Sequence, residues 1–387
     1  MTGVTYAGEL CIDLAAISDN TRRLDELAGS AGVMAVVKAG GYGHGLVPSA
    51  LAALRGGATW LGVAQLAEAL ALRAAGITAP VLSWLYVPGA DLEAAVAAEV
   101  DLAVSAPWGL EAVAEAARAT ERTARVHLKV DTGLGRNGVL HGQAYTDLLH
   151  RARALEAEGA VAVVGIMQHF AYADSPGHPE VLAQVARFDE AVAQAEAAGC
   201  RPQVRHVANS AATLTNPSLA YDLVRPGLAV YGLSPVPDLG GPQDYGLTPA
   251  MTWTAPLSQV KAVPAGQGLS YGHEYHTPTD TLVGVLPLGY ADGLPRAATN
   301  VGPVQVAGER HTVSGRVCMD QVVIDLGPDS PAQAGDRCVL WGTGRDGEPT
   351  AQDWADATGT ISYELITRVG ERVPRRYLGA EATWPLR

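Results

Sequence analysis

Short apolar stretches alternate with alanine-rich helical stretches as far as about residue 235, and the alternation occurs eight times. The first helical stretch has Leu14, Ile17, Thr21, Leu24 and Ala28 on one face, the spacing of an amphipathic helix. Eight strand-and-helix units in roughly 230 residues fit a closed parallel barrel better than an open sheet. The sequence therefore predicts an α/β fold with an N-terminal TIM-type (β/α)8 barrel. Its strands are predicted at Val33–Lys38, Trp60–Ala64, Val81–Leu85, Leu102–Ser105, Arg125–Val130, Val163–His169, Val204–Ala208 and Leu223–Arg225.

The character of the chain changes after Gly232, where prolines and glycines become frequent and helical periodicity fades. Short alternating segments at 281–286 and 321–326 are typical of strands. The segment Ser234–Pro242 has the composition of a linker. We therefore expect the barrel at residues 14–240 and a second, mostly β domain at residues 241–387.

Composition narrows the range of partners. The 387 residues carry a net charge of −13 without a compensating basic block, which argues against nucleic acid and favours small-molecule chemistry. The first residues lack a basic region followed by an apolar core, and no stretch approaches the ~20 apolar residues of a membrane span. We expect a cytoplasmic protein that does not contact a membrane. The four cysteines are scattered without metal-ligand spacing, so no metal site is indicated.

Lys38 follows a uniformly apolar run and precedes a glycine-rich loop, Ala39–Gly45. Burying an ammonium costs several kcal/mol unless it is paired, deprotonated or covalently bonded. An imine to the aldehyde of pyridoxal 5'-phosphate (PLP) removes the free ammonium, and glycines let the backbone approach a planar cofactor. The segment alone leaves open a second interpretation, a lysine that reaches solvent from a strand end.

Other polar residues occur at the predicted carboxyl ends of strands, where barrels of this type place their functional groups. Cations, hydroxyls and backbone N–H groups at one end of a barrel fit a dianionic phosphate together with a carboxylate ligand. These residues are Lys38, Lys129, Arg136, His169, Asn209, Ser210 and Arg225–Leu228.

Six segments resemble those of PLP-dependent alanine racemases, in order and across nearly the whole chain. One departure is Gly40-Gly41, where that family usually has Asn-Ala, and this could loosen the loop. The resemblance also implies that residues 1–13 join the C-terminal β domain. The segments are Val36–Gly45, Lys129–Arg136, Val224–Gly227, Ser270–Gly272, Gly289–Gly293 and Arg316–Gln321.

The resemblance implies an isomerase that interconverts L-alanine and D-alanine by a two-base mechanism on a PLP aldimine, supplying D-alanine for peptidoglycan. Lys38 would serve one face of the substrate, and Tyr271, delivered by the partner of a homodimer with shared active sites, would serve the other. Arg225 would face the pyridine nitrogen, and His169 would bridge Arg225 and Tyr271.

The resemblance assigns further residues to ligand binding. Arg136 would bind the phenolic oxygen of PLP and the substrate carboxylate, beside a carbamylated Lys129. Met319 of the partner would bind the carboxylate, Tyr290 would narrow the entry, and Asp320 would support this region. The cofactor would also be held by Tyr42, Asn209, Ser210, Gly227, Leu228 and Tyr363.

Competing motifs lack their structural context. The GxSxG match at Gly268–Gly272 is not followed by a helix, and the GxGxxG matches at Gly133–Gly138 and Gly342–Gly347 lack a βαβ unit with the expected acidic residue. His273–His276 is one residue short of a zinc-binding HExxH motif. Three alternatives remain: a broader racemase of small amino acids, a PLP-dependent amino-acid decarboxylase, and a non-catalytic PLP carrier.

Overall fold

The structure, a computed structural model, describes residues 7–379, and these form two compact units. One unit comprises residues 17–41 and 46–247, and the other comprises residues 7–16, 42–45 and 248–379. The first strand of the described chain, β1 (Glu9–Asp13), belongs to the second unit and leads directly into α1 (Leu14–Ala28).

The larger unit is a barrel of parallel strands with helices between them. Its further elements are β2 (Gly32–Val36), α2 (Lys38–Tyr42), α3 (Leu46–Arg55), β3 (Trp60–Gln65), α4 (Leu66–Ala74), β4 (Val81–Leu85), α5 (Leu92–Ala97), β5 (Asp101–Val104), α6 (Pro107–Ala119), β6 (Ala124–Asp131), β7 (Val139–Leu140), α7 (Gln143–Ala157), β8 (Val161–Met167), α8 (Pro179–Ala197), β9 (Val204–His206), α9 (Ser210–Thr215) and β10 (Leu223–Val224).

Eight strands of the described chain follow the order β10-β2-β3-β4-β5-β6-β8-β9 around the barrel, and the short β7 pairs with β6. A bridge between Asn209 and Arg225 and a bond from Arg225 N to Ala208 O (2.8 Å) join the two ends of the sheet. Met34, Leu82 and Leu223 from three strands are buried in one core cluster. The predicted barrel is confirmed.

Five of the predicted strands end one or two residues earlier than the sequence indicated, and for two of them the difference places a predicted site residue two residues beyond the strand. Strand β2 ends at Val36 and β8 ends at Met167, so Lys38 and His169 each lie two residues beyond their strands. In both cases a buried residue continues the strand pattern beyond the end of the strand: Val37 and Gln168 are both fully buried. Burial alone therefore overestimates strand length at these ends.

The second unit is mostly β. Its six-stranded sheet has the order β17-β16-β19-β11-β1-β20, and β1 pairs antiparallel with β11 and parallel with β20. A smaller sheet has the order β12-β15-β18. In the core of this unit the indoles of Trp253, Trp341 and Trp354 pack edge to face. The ring centroids are 4.7 Å apart for Trp253 and Trp341, and 5.9 Å apart for Trp341 and Trp354. The elements are β11 (Met251–Pro256), β12 (Gln259–Val263), β13 (Gly268–Leu269), β14 (Tyr275–His276), β15 (Thr281–Leu286), β16 (Pro303–Val306), β17 (Glu309–Thr312), β18 (Val322–Gly327), β19 (Arg337–Trp341), α10 (Ala351–Thr358), α11 (Ser362–Thr367) and β20 (Arg375–Leu378).

Across residues 7–379, no helix combines the length and the apolar content that crossing a bilayer requires.

Candidate active site

Lys38 starts a turn whose backbone is left-handed. Ala39, Gly40 and Gly41 have φ values of 53, 61 and 66°, and Tyr42 has a φ of 51°. Glycine adopts this conformation without steric cost, whereas a residue with a Cβ loses roughly 1–2 kcal/mol there. The two glycines therefore let the chain reverse directly after Lys38, which keeps the lysine at the carboxyl end of β2.

Strand β6 supplies Lys129 and the loop that carries Arg136. The side chain of Lys129 is buried. The Asp131 carboxylate at the end of the strand accepts hydrogen bonds from the N–H groups of Gly133 (3.0 Å) and Gly135 (3.1 Å). These bonds fold the loop back on the strand end, and Arg136 is the next residue.

Arg225 lies just after β10 and is buried. Its Nη1 donates to His206 Nδ1 (3.1 Å) and His206 O (2.6 Å), and its Nη2 donates to Gln168 O (2.7 Å) and Val207 O (3.2 Å). All of these acceptors are neutral. Burial without a carboxylate partner lowers the pKa of Arg225 to about 10, so the guanidinium remains charged at neutral pH.

His169 is the neighbour of Arg225 on the side of β8. Its Nδ1 lies 3.4 Å from Arg225 Nη2, and its carbonyl accepts a hydrogen bond from Gln184 Nε2 on α8 (3.2 Å). Burial, and then the charges of Arg225, Arg136, Lys129 and Lys38, hold the pKa of His169 well below its usual range. The imidazole is therefore neutral, and Nδ1 can accept from the guanidinium.

Lys129 and Lys38 are both amines that are largely removed from water and lie near other positive charges. Burial, followed by the charges of Arg225 and Arg136, lowers the pKa of Lys129 from 10.5 to about 8, while Asp131 opposes the shift. Burial and then Arg136 also lower the pKa of Lys38, whereas Glu68 raises it. The barrel thus brings Lys38, Lys129, Arg136, His169 and Arg225 into one basic cluster in which amines lose protons more readily than in water.

Ser210 and the residues after Arg225 form a set of backbone donors. The Ser210 hydroxyl accepts from the N–H groups of Gly227 (2.8 Å) and Ala229 (3.2 Å), and Leu228 lies between them. The side chain of Asn209 caps α9 by accepting from Ala212 N (3.1 Å). In this structure Asn209 organises the turn that presents Ser210.

The remaining predicted residues lie in the second unit. The rings of Tyr42 and Tyr363 have centroids 6.2 Å apart, and burial raises the pKa of Tyr42. Tyr271 is 71% exposed and Met319 is 53% exposed. Asp320 forms an ion pair with Arg372 (2.9 Å).

Three loops of this unit are bonded to one another. The Ser270 hydroxyl donates to Arg316 O (2.7 Å), which ties the loop of Tyr271 to the segment that ends in Met319 and Asp320. Tyr290 N donates to Cys318 O (3.0 Å), which ties the loop of Tyr290 to the same segment. Tyr271, Tyr290, Met319 and Asp320 therefore belong to one connected group of loops.

Comparison with known proteins identifies the family. Residues 12–235 match the model of the alanine racemase N-terminal domain, and residues 250–377 match that of the alanine racemase C-terminal domain. The chain belongs to the alanine racemase family.

Relatives within the alanine racemase family are similar over nearly their full length. The alanine racemase of Frankia casuarinae is 58% identical over 367 residues, which is 95% of each chain. The crystal structure of alanine racemase from the D-cycloserine-producing Streptomyces lavendulae has a TM-score of 0.96 at 51% identity and covers 98% of this chain and 99% of that one. The alanine racemase of Bacillus anthracis with bound L-Ala-P has a TM-score of 0.88 at 34% identity, covering 97% and 96%.

Several polar residues of this alanine racemase family member were missed by sequence analysis. His206 and Gln168 contact Arg225, and Gln184 holds His169. The sequence did contain one signal of a polar strand face inside the barrel, although on a different strand: Arg125, His127, Lys129 and Asp131 alternate with apolar residues along β6 and so share one face of the strand. Gln184 gave no signal, because its position on α8 fits an ordinary helix face.

A cavity of about 510 Å³ lies at the opposite end of the barrel, where the strands begin. Its arginines are already engaged: Arg122 pairs with Glu99 (2.9 Å) and Arg125 pairs with Asp101 (2.7 Å). The functional end of a parallel barrel is the carboxyl end of its strands, so this cavity is not the candidate active site.

Proposed function

We propose that this chain interconverts L-alanine and D-alanine, with PLP as its cofactor, and thereby supplies D-alanine for peptidoglycan. The observation that carries the proposal is Arg225, a buried guanidinium whose hydrogen bonds in the described chain all go to neutral acceptors. A decarboxylase is expected to place a carboxylate opposite the pyridine nitrogen. A guanidinium there keeps the nitrogen unprotonated, because it does not give up its own proton.

The residues present fit PLP. The Nη groups of Arg225 are used by His206, Gln168 and Val207, whereas its Nε–H has no hydrogen-bond partner within residues 7–379. An unprotonated pyridine nitrogen is an acceptor of the kind this donor requires. The lowered pKa of Lys38 favours the neutral amine that attacks an aldehyde. The N–H of Leu228, which lies between the two N–H groups that donate to the Ser210 hydroxyl, suits a phosphate.

When bound, PLP delocalises the electron pair left on the α-carbon after its proton is removed. The chain's own residues supply the remaining chemistry. Arg136 and a carbamylated Lys129 position the substrate carboxylate, with the backbone of Met319 from the partner. Tyr42, Ser210, Gly227, Leu228 and Tyr363 hold the phosphate, and Tyr290 narrows the entry.

Inversion requires a proton acceptor on each face of the α-carbon. We assign one face to the amine of Lys38 and the other to the phenol of Tyr271, delivered by the second subunit of a homodimer. The neutral His169, which accepts from Arg225 through Nδ1, has its Nε2–H available toward the phenol. The 71% exposure of Tyr271 in the single chain supports a role completed by a partner.

Chiral analysis tests the activity directly. L-Alanine incubated with the protein and PLP should give D-alanine until both enantiomers are equal, and D-alanine should give L-alanine. Lys38→Ala prepared in the same way should give neither. Formation of ethylamine would indicate a decarboxylase, and recovery of unchanged L-alanine would indicate a PLP carrier; either result would refute the proposal.

Side-chain preference is tested with the same assay on serine and 2-aminobutyrate. A hydrophobic pocket discriminates one methylene by only ~1–3 kcal/mol, so we expect slower turnover of these substrates and not complete exclusion. Equal rates for all three would favour the broader racemase of small amino acids.

A further inference from the structure

A continuous row of polar side chains runs through the barrel away from Arg225. His206 Nδ1 lies 3.1 Å from Arg225 Nη1, and His206 Nε2 lies 2.8 Å from His127 Nδ1. His127 Nε2 lies 3.3 Å from Asp101 Oδ2, and Arg125 binds both oxygens of that carboxylate at 2.7 and 3.2 Å. His127 and His206 are fully buried, and Asp101 is 1% exposed. A barrel interior is ordinarily filled by branched apolar residues, so this row is unusual.

The two ends of the row fix the direction of every hydrogen bond in it. Arg225 can only donate, so His206 Nδ1 must be an unprotonated acceptor. His206 therefore carries its proton on Nε2 and donates to His127 Nδ1. His127 in turn carries its proton on Nε2 and donates to Asp101, whose carboxylate can only accept. Both imidazoles are neutral, and burial beside Arg225 accordingly holds the pKa of His206 well below its usual range.

The backbone is shaped to permit this row. Strands β6 and β9 are not adjacent, because β8 lies between them. His127 is paired in register with Gly165 of β8, and a Cβ on Gly165 would collide with His127 Nδ1. The missing side chain lets the His127 ring pass over β8 and reach His206.

The row also connects Arg225 to a carboxylate, that of the Asp101–Arg125 ion pair. The direct acceptors of its guanidinium are neutral, and the carboxylate connected to it through hydrogen bonds in the described chain is Asp101, two imidazoles away. A negative charge at the far end of a hydrogen-bonded chain polarises each member and makes His206 Nδ1 a stronger acceptor.

We propose that Asp101 and His127 are positioning residues for Arg225: they hold His206 as the Nε2–H tautomer, so that the guanidinium is oriented with Nε–H directed at the pyridine nitrogen. The inference rests on the proposed function, in which Arg225 faces that nitrogen. A histidine outside such a row can adopt either tautomer, and the Nδ1–H form would oppose Arg225 with a second donor.

The tautomers provide a test that does not depend on activity. In holoenzyme labelled with ¹⁵N-histidine, long-range proton–nitrogen correlation spectra should show His206 and His127 neutral and protonated on Nε2. A proton on Nδ1 of His206, or a charged imidazolium, would overturn the inference. The spectra remain informative even if the protein does not racemise alanine, so failure of the proposed function is distinguished by the chiral assay on the wild type.

A double-mutant cycle tests the connection to Arg225. We expect Asp101→Asn to lower kcat about 10-fold, the scale on which partners of an oriented histidine act in metal sites, with KM changed less than twofold. The absorption maximum of bound PLP, or its dependence on pH, should shift in the same variant. His127→Phe should have the same effects as Asp101→Asn. The kcat of the double variant should be no lower than that of either single variant, since both substitutions interrupt the same row of hydrogen bonds.

Trp60→Phe is the matched control. Its ring packs edge to face on His127 with centroids 5.4 Å apart but takes no part in the row, so kcat and the PLP spectrum should stay within twofold of the wild type. Additive losses in the double variant, or an unshifted PLP spectrum in Asp101→Asn, would overturn the inference. If His127→Phe does not fold, the kcat and PLP spectrum of Asp101→Asn and the histidine tautomers of the wild type still test the inference.

Discussion

Lys129 places an ammonium in the barrel beside two arginines, and carbamylation would turn this repulsion into attraction. Carbamate formation needs the neutral amine, which at a pKa of about 8 is roughly a tenth of the population at pH 7. We predict that ¹³C-bicarbonate gives a carbamate resonance in the wild-type ¹³C NMR spectrum, and that Lys129→Arg lacks it. A wild-type spectrum without the resonance at saturating bicarbonate would leave Arg136 to be oriented by another group.

The pair Gly40-Gly41 has different constraints at its two positions. At Gly40 a Cβ meets nothing within 4 Å, and asparagine tolerates a left-handed φ, so Gly40→Asn should change stability by less than about 0.5 kcal/mol. At Gly41 a Cβ would lie 2.7 Å from Ser49 Oγ and 3.0 Å from Ser49 Cβ. Gly41→Ala should therefore cost about 1–3 kcal/mol of unfolding free energy in urea. Equal stability of both variants would contradict this account of the turn.

Residue type and strand position together predicted the basic cluster but not its hydrogen bonds. Lys38, Lys129 and Arg225 were singled out because cations follow apolar strands. His206 was passed over, since a histidine inside a predicted strand is ordinarily a core residue, and only the three-dimensional structure shows that it meets both Arg225 and His127. Long-range polar contacts of this kind leave no local pattern in a sequence.

At the scale of elements, apolar runs located the barrel strands well but not their ends. The run into Lys38 predicts a strand through residue 38, whereas β2 ends at Val36 because the chain then enters its left-handed turn. Similarly, His169 follows β8 and is held by Gln184 from α8. The ends of strands carry the chemistry, and their conformation depends on contacts with other elements.

Gln184 gives a prediction at this scale. Its Oε1 accepts from Ala171 N (2.9 Å), and its Nε2 donates to Thr132 Oγ1 (3.1 Å) and to His169 O (3.2 Å). Gln184→Leu removes the partner of Ala171 N and of His169 O, whereas Thr132 Oγ1 keeps its bond to Gln168 Oε1 (3.0 Å), so we expect a loss of about 1–3 kcal/mol in urea unfolding and a lower kcat through displacement of His169. The exposed Gln143, bonded to Asp147, provides the control Gln143→Leu, which should change neither quantity by a comparable amount. Unchanged stability in Gln184→Leu would show that water replaces these bonds.

For the whole molecule, the sequence predicted a barrel followed by a mostly β region. The change in composition near Ser234–Pro242 predicted the boundary there, whereas the two units of the described chain divide after Leu247. Composition could not show that Tyr42–Gly45 clusters with the β unit, nor that β1 pairs with β11 and β20. These pairings join residues far apart in the chain. Assembly was likewise implied only by family resemblance, and the exposed Tyr271 and Met319 are the structural features that support it.

We propose that inversion uses two groups, Lys38 and Tyr271, from different subunits. Tyr271→Phe should bind PLP and alanine yet lose roughly 10²- to 10⁴-fold in racemisation, the usual scale for one acid-base group. It should still exchange the α-proton of one enantiomer with deuterium through Lys38, because that face retains its base.

The decisive measurement is the racemase activity of mixed dimers. Tyr271→Phe and Lys38→Ala chains, each severely impaired alone, are unfolded, mixed and refolded together, and dimers carrying one chain of each kind are isolated by distinct affinity tags. One of the two sites in such a dimer contains both Lys38 and Tyr271, so we predict activity approaching half that of the wild-type dimer. Mixed dimers that form, bind PLP and show no more activity than either parent would contradict the claim.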